Sequence, residues 1–283
     1  MKKSHTLQMD DRPRGAWKYL ILISIFSLII LIPYGWLIIN AWTDTNGNFT
    51  LENWSFLYQE TLVSGGKSLP VITKPLLNSL LFACAMAGSV ALVTIPAAYA
   101  LSRTEFKGRK VLAKLMIVLD AFPTVALLIS FIFLLSWLNL VNTLAGVILV
   151  KVSLYLPGAI WLMKGFFDHV SWDIEWAAIV DGASRFKTFL RIIIPAAKPG
   201  IAVILVNSFL SGWGEFILVN LFIYGGTKTM SGFISSMLNE EGRNLVTSGF
   251  MAAACLLYIV PVIIVFILSQ KTLLQVKQGG SKQ

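Results

Sequence analysis

Six stretches of the chain run for about twenty residues or more with almost no charge, at 19–42, 76–101, 115–138, 144–163, 201–224 and 250–269. A bilayer core about 30 Å thick asks for roughly 20 apolar residues per helix, so each stretch is long enough to span it. The third contains only Asp120, the fourth only Lys151 and the fifth only Glu215; the other three are uncharged. Period-2 alternation is absent, which argues for helices rather than a transmembrane barrel. The predicted fold class is all-α: a polytopic membrane protein with six transmembrane helices in one domain over 1–283. The first stretch, preceded by lysines, has the flavour of a signal peptide, but its length exceeds a normal apolar region and no small-residue cleavage site follows.

The polar intervals differ in character. Interval 43–75 is rich in Asn46, Gly47, Asn48, Ser64, Gly65 and Gly66, with an aromatic island at Trp54, Phe56 and Tyr58, and reads as an exterior-facing cap. Interval 164–200 is helical in pattern. Ser171 is placed to cap a helix, Asp173 and Glu175 fall in its first turn where the dipole favours negative charge, and Gly182 ends it. Ser184 caps a second short helix and Pro195 follows, so two helices joined at a glycine are predicted, with Asp181 and Arg185 set to pair across the turn. Pro33, Pro96, Pro123, Pro157 and Pro261 punctuate the spans, each able to kink its helix.

Composition agrees with a membrane protein: 56% of the residues are apolar and 13% charged, too little polar material to cover a soluble globule of 283 residues. The charge of +9 follows topology. Eighteen Lys and Arg fall at the two termini and in the second and fourth loops, against four on the other side, Lys67, Lys74, Lys228 and Arg243. Cytoplasmic loops are enriched in these residues, so both termini are expected in the cytoplasm. The spread of charge over these loops excludes nucleic acid as a partner. Cys84 and Cys255 lie inside predicted spans without metal-ligand spacing and are expected to be small core residues.

The run EWAAIVDGASRFKTFLRIIIP resembles the EAA loop of ATP-binding-cassette importer permeases, whose pattern is Glu-Ala-Ala, three residues, Gly, nine residues, Ile, two residues, Pro. Ala177, Ala178, Gly182, Ile192 and Pro195 match in order and spacing; the family glutamate falls on Trp176, while the acid stands one place earlier at Glu175. The likeness covers most of the chain and is similar to the MalG-like permeases of carbohydrate importers. It rests on NSLLFACA from Asn78, AAYALSRTEFKGRK from Ala97, VNTLAGVIL from Val141, LPGAIWLMKGFFD from Leu156, GWGEF from Gly212 and the GGSK tail.

This resemblance implies a permease subunit of a binding-protein-dependent importer, moving a sugar, expected to be an oligosaccharide, across the cytoplasmic membrane by alternating access. It implies as partners a second homologous permease, two ATPase subunits and an extracytoplasmic sugar-binding protein, besides membrane lipid. It also implies no cofactor on this chain, with ATP and Mg on the ATPases. The implied ATPase-coupling residues are Glu175, Ala177, Ala178, Asp181, Gly182, Arg185, Phe186, Ile192 and Pro195 within the loop at 171–195. Small Ala177 and Ala178 let a helix sit close in a partner groove, Gly182 permits the redirection, and Ile179, Phe186, Phe189 and Leu190 offer anchors inside a rim of Arg185, Lys187 and Arg191. An amphipathic pair lying on lipid headgroups is the bland alternative, but it requires neither the glycine nor the closing proline.

Ionisable residues inside a membrane usually face a cavity or a partner. At 1.5 Å per residue from the inner helix ends, Glu215 lies roughly 21 Å deep, Lys151 roughly 18 Å and Asp120 about 8 Å. Two readings stay open: Lys151 and Glu215 pair with each other, or they line a substrate path with Tyr155, Trp161, Asn207 and Trp213, a set suited to hydroxyl-rich ligands. Asp120 is too shallow to be expected on that path.

No Walker sequence is present, so a transport subunit without catalysis of its own is the leading reading. An ion-coupled secondary transporter using Asp120, Lys151 and Glu215 is the alternative, although no similarity between the halves is visible. A membrane-embedded enzyme is a third class. His5 and His169, the two histidines, lie outside the spans, and no HExxH, nucleophile elbow or acidic metal cluster occurs.

Overall fold

A computed structural model describes residues 16–63, 67–69, 71–224, 229–241 and 246–279. Lys2, Lys3, Arg12, Arg14, Ser64, Gly65, Gly66, Lys228, Arg243 and Lys282, together with most of the GGSK tail, lie outside these residues. In chain order the elements are α1 (Ala16–Trp42), a 3₁₀ turn (Glu52–Leu57), β1 (Thr61–Val63), β2 (Lys67–Leu69), α2 (Thr73–Arg103), α3 (Arg109–Asp120), α4 (Thr124–Trp137) and α5 (Leu144–Asp168). There follow α6 (Trp172–Val180), α7 (Arg185–Thr188), a π-helical stretch (Phe189–Ile193), α8 (Ile194–Ala196), α9 (Lys198–Trp213), α10 (Ile217–Phe222), α11 (Met230–Glu241) and α12 (Ser248–Gly279). The fold is helical, as expected; β1 and β2 add a small antiparallel hairpin with Leu62 opposite Ser68.

Four of these helices, α1, α2, α5 and α12, are long and apolar enough to cross a membrane, or up to six spans if each of two bent pairs counts as one. The predicted span at 115–138 is one of the pairs: α3 and α4 meet at 99°. Pro123 explains the break, because it brings no amide hydrogen to the ladder and its extended backbone caps α4. The other proline-bearing helices, with Pro33, Pro96, Pro157 and Pro261, run through without a break. The predicted span at 201–224 is also interrupted, between α9 and α10 at Gly214–Phe216. A second bend of 74° precedes it, where α7 and α8 turn into α9 at Ala197.

Two apolar clusters hold the bundle. One lies where α2, α5, α9 and α10 meet, around Phe82, Met86, Val150, Met163, Phe167, Ile204 and Phe222. The other joins α2, α9, α11, α12 and the 3₁₀ turn around Phe56, Phe209, Trp213, Met230, Phe233, Met237 and Phe250. Small residues bring the helices close: a Cβ on Gly212 of α9 would stand 3.0 Å from the Ala83 Cα of α2. The outward faces of α1, α4 and α12 carry exposed Ile, Leu and Phe, as a lipid-facing surface does. Cys84 is exposed on α2, so the expectation that it is a core residue does not hold.

The helix end of α1 is closed by Asn53, buried in the 3₁₀ turn, whose amide donates to Asn40 O at 3.1 Å and Thr43 O at 2.9 Å. These carbonyls have no partner inside α1 and need one. Thr247 Oγ1 reaches Asn53 Oδ1 from the start of α12, and Gly249 packs so closely that a Cβ there would collide with Asn53 Nδ2 and stand 2.8 Å from Asn40 O. Gly249→Val is therefore expected to cost about 1–3 kcal/mol by displacing the Asn53 amide from the carbonyls it bonds at the end of α1, read as a lower unfolding temperature in detergent. An unchanged midpoint would contradict that role.

Candidate functional site

The loop between α5 and α9 folds as its capping residues dictate. Ser171 accepts from Asp173 N to start α6, and Ser184 accepts from Lys187 N to start α7. Between them Gly182 takes φ +86°, the left-handed conformation that ends a helix, and Ala183 N bonds back to Ala178 O. Beyond α7 the chain continues as a π-helical turn in which Ile194 N bonds to Phe189 O, five residues back. Asp181 and Arg185 form no ion pair with each other among the described residues; both side chains are exposed.

Ala177, Ala178, Asp181, Gly182 and Ile192 line one open cleft with Ile174, Ala183 and Lys187. The same helix pair exposes three large apolar side chains, Trp176 at 53%, Val180 at 83% and Phe186 at 70%, which form its apolar crest. Arg185 and Pro195 are exposed around this surface. Glu175 departs from its predicted neighbours. Only 5% exposed, its carboxylate turns inward, where Oε1 accepts from Tyr99 Oη at 2.7 Å and Oε2 lies 3.6 Å from Arg103 Nε. It holds α6 to α2.

The intramembrane charges converge on one face of α5. Lys151 Nζ lies 2.5 Å from Glu215 Oε2. Glu215 sits in the break between α9 and α10, where its Oε1 accepts from Leu218 N at 2.8 Å and so caps α10, while its backbone carbonyl accepts from Ser231 Oγ of α11 at 2.7 Å. The pairing reading thus holds, and Glu215 also carries a capping duty. Tyr155 and Gly158 continue the Lys151 face at four and seven residues. Asp120 lies there too: a Cβ on Gly158 would stand 2.9 Å from Asp120 Cγ. Asp120 reaches this face because α3 ends directly against α5, a contact that its depth in the span does not reveal.

Of the remaining path residues, Asn207 and Trp161 are exposed and Tyr155 half-buried. Trp213 is corrected. It is 2% exposed, its indole donates to Tyr258 O at 3.1 Å, and it stacks on Tyr258 at 5.3 Å, so it joins α9 to α12 and lines no path. Among the described residues no three His, Cys, Asp or Glu side chains gather as a metal centre would need.

Arg103 was not anticipated. In the sequence it is one of five basic residues in a loop, counted for topology; its position two residues past the end of an apolar run was the available signal. In the fold it is 4% exposed beneath α6.

The family model described as "Binding-protein-dependent transport system inner membrane component" matches residues 91–275. The galactooligosaccharides transport system permease protein GanQ of Bacillus subtilis is 30% identical over 95% of this chain and 96% of its own length. The diacetylchitobiose uptake system permease protein NgcG of Streptomyces coelicolor is 27% identical over 98% and 92%. Among solved structures, a chain of a bacterial ABC transporter involved in the import of the acidic polysaccharide alginate superposes with a TM-score of 0.72 at 19% identity, covering 90% of this chain and 95% of that one.

Proposed function

This chain belongs to the inner membrane components of binding-protein-dependent transport systems, transport subunits of ATP-binding-cassette importers rather than enzymes, and from that membership we propose that it carries an oligosaccharide inward. Relatives named for galactooligosaccharide and diacetylchitobiose transport support the sugar. The α6–α8 end and both termini face the cytoplasm in this proposal, on the strength of the Lys and Arg distribution. A second homologous permease, two ATPases that hold ATP and Mg, and an extracytoplasmic sugar-binding protein complete the assembly. A bacterial alginate importer has been solved with its sugar-loaded periplasmic protein, which fits that arrangement.

The observation that carries the docking role is the apolar crest of Trp176, Val180 and Phe186. It stands on two capped helices too short to span a bilayer, the pair that also lines a cleft with Ala177, Ala178 and Gly182. Large apolar side chains exposed on a short helix pair that also carries exposed Arg185, Lys187 and Arg191 have the make-up of an interface centre. Trp176, in place of the family glutamate, makes this centre more apolar. Closure of the ATPases on ATP then moves the helix pair, and alternating access follows as a rigid-body displacement of the attached spans.

Lys151, Tyr155, Trp161, Asn207 and Glu215 remain the proposed sugar path, with Asp120 added and Trp213 removed. The ion pair makes this face nearly neutral at Lys151, which suits an uncharged saccharide. The same pairing counts against the ion-coupled alternative, because Lys151 and Glu215 each occupy the other's charge.

Phe186→Asp tests the docking role. A desolvated carboxylate at an interface centre is expected to cost about 2 kcal/mol or more, roughly thirtyfold in affinity. Co-purification of the co-expressed ATPases on the tagged permease measures it. ATPases retained at the wild-type level would remove α7 from the interface.

A further inference from the structure

Arg103 is buried, and the groups it touches show what it holds together: Nη2 carries its hydrogen bonds, while Nε and Nη1 make none among the described residues. Nη2 donates to Phe167 O at 2.6 Å, a carbonyl in the last turn of α5 that also accepts from Val170 N, and to Val170 O just past the helix, where the negative end of the helix dipole favours a cation. The guanidinium carbon lies 4.4 Å from the ring centroid of Trp172, the first residue of α6, and Nε lies 3.6 Å from Glu175 one turn further on. Tyr99, one turn earlier on α2, holds the other oxygen of Glu175. Around this centre Arg109 closes the end of α2 through Leu101 O and Ser102 O, and Ser102 Oγ donates to Asp168 Oδ1 at 2.6 Å. Three helices that meet at their ends are therefore fastened through one side chain.

We propose that Arg103 is the positioning residue that makes α6 move as one body with α2 and α5, so that a push on the helix pair reaches the span carrying Lys151 and is not absorbed at the link 169–171. The inference rests on the docking reading. Its physical content is stiffness. The covalent link between α5 and α6 is three residues long, and Arg103 bridges it: its bonds to Phe167 O and Val170 O hold the α5 side, and its contacts with the Trp172 ring and the Glu175 carboxylate hold α6. Lysine cannot replace it, because an ammonium has no plane to lay on Trp172 and cannot serve the two carbonyls and face Glu175 from separate nitrogens of one rigid group.

The test uses the importer assembled with its ATPases in lipid nanodiscs, with Cys84 and Cys255 replaced by Ser and nitroxides at exposed Leu92 of α2 and exposed Asp173 of α6. Pulsed electron–electron resonance reads the distance between them, without nucleotide and with ATP and vanadate. The unaltered tie is expected to give one narrow distribution that keeps its width in both states. Arg103→Ala and Arg103→Lys are expected to widen it about twofold or more, since the constraint they remove is local. Tyr99→Phe, which releases one anchor of Glu175, falls between. Gly249→Val, which weakens the fold at the opposite end of α1, lowers the unfolding temperature and leaves the width unchanged. A narrow distribution in Arg103→Lys would overturn the proposal; if the alanine variant does not accumulate, the lysine and phenylalanine variants decide in the same way. Loss of the ATPases from the unsubstituted complex would count against docking alone, because the width still reports on the tie.

Discussion

Lys151→Ala is expected to destabilise the protein by about 3 kcal/mol, the lower end of the cost of removing one partner from a buried ion pair, because the lysine side chain is itself 21% exposed. The loss falls on Glu215, 7% exposed, which keeps its bond to Leu218 N but has no cation for Oε2. Because the same residue caps α10 and receives Ser231 from α11, its movement unfastens both short helices at once. Glu215→Ala is expected to do at least as much damage, as it strands the ammonium and removes the cap together. Replacing both charges, Lys151→Met with Glu215→Gln, is expected to recover stability to within about 1–2 kcal/mol, since glutamine still accepts from Leu218 and no charge is left unpaired. Thermal unfolding of the purified chain in detergent measures all three. A single alanine variant as stable as the parent would show that the pair contributes nothing.

Gly182→Trp is expected to weaken ATPase binding more than tenfold. At φ +86° a side chain costs about 1–2 kcal/mol before it touches anything, and nothing lies within 4 Å of the Cβ position, so the strain is conformational. The ring adds a second effect by standing in the cleft shared by Ala177, Ala178, Asp181 and Ile192. Two milder changes separate the causes. Gly182→Asn tolerates the left-handed conformation and is expected to keep most of the affinity; Gly182→Ala carries the strain without the bulk and falls between. Titration of purified ATPase onto the nanodisc-embedded permease reads the order, and a tryptophan variant equal to the parent would place the turn outside the interface.

Apolar run length and capping chemistry made the long helices and the α6–α7 pair legible, because both depend on residues close in sequence. Ser171, Gly182 and Ser184 each do in the fold what their local chemistry requires. The interruption between α9 and α10 was hidden in a continuous apolar run, although Gly214 marks it. Helix α11 was hidden because Met230, Phe233 and Met237 recur at helical spacing over a segment too short to register as a span. Side-chain duties that join distant segments were least visible. Lys151 and Glu215 could be matched by depth, but Trp213 looked like a path residue until Tyr258 was found against it. Arg103 and Glu175 looked like a topological charge and a partner contact until their burial showed them facing each other.

Helix α1 packs chiefly on α12 and the 3₁₀ turn, and none of its most apolar window is buried. Helix α1 thus has as its main neighbour a helix that begins some 200 residues downstream. At roughly 5–20 residues per second, α1 waits on the order of 10–40 s in the bilayer before that neighbour exists. A helix with a polar stripe could not wait so long without finding a wrong companion. The uniform apolarity of α1, with a hydropathy of 2.4 over that window, fits a segment that is at home among lipids alone until α12 is made.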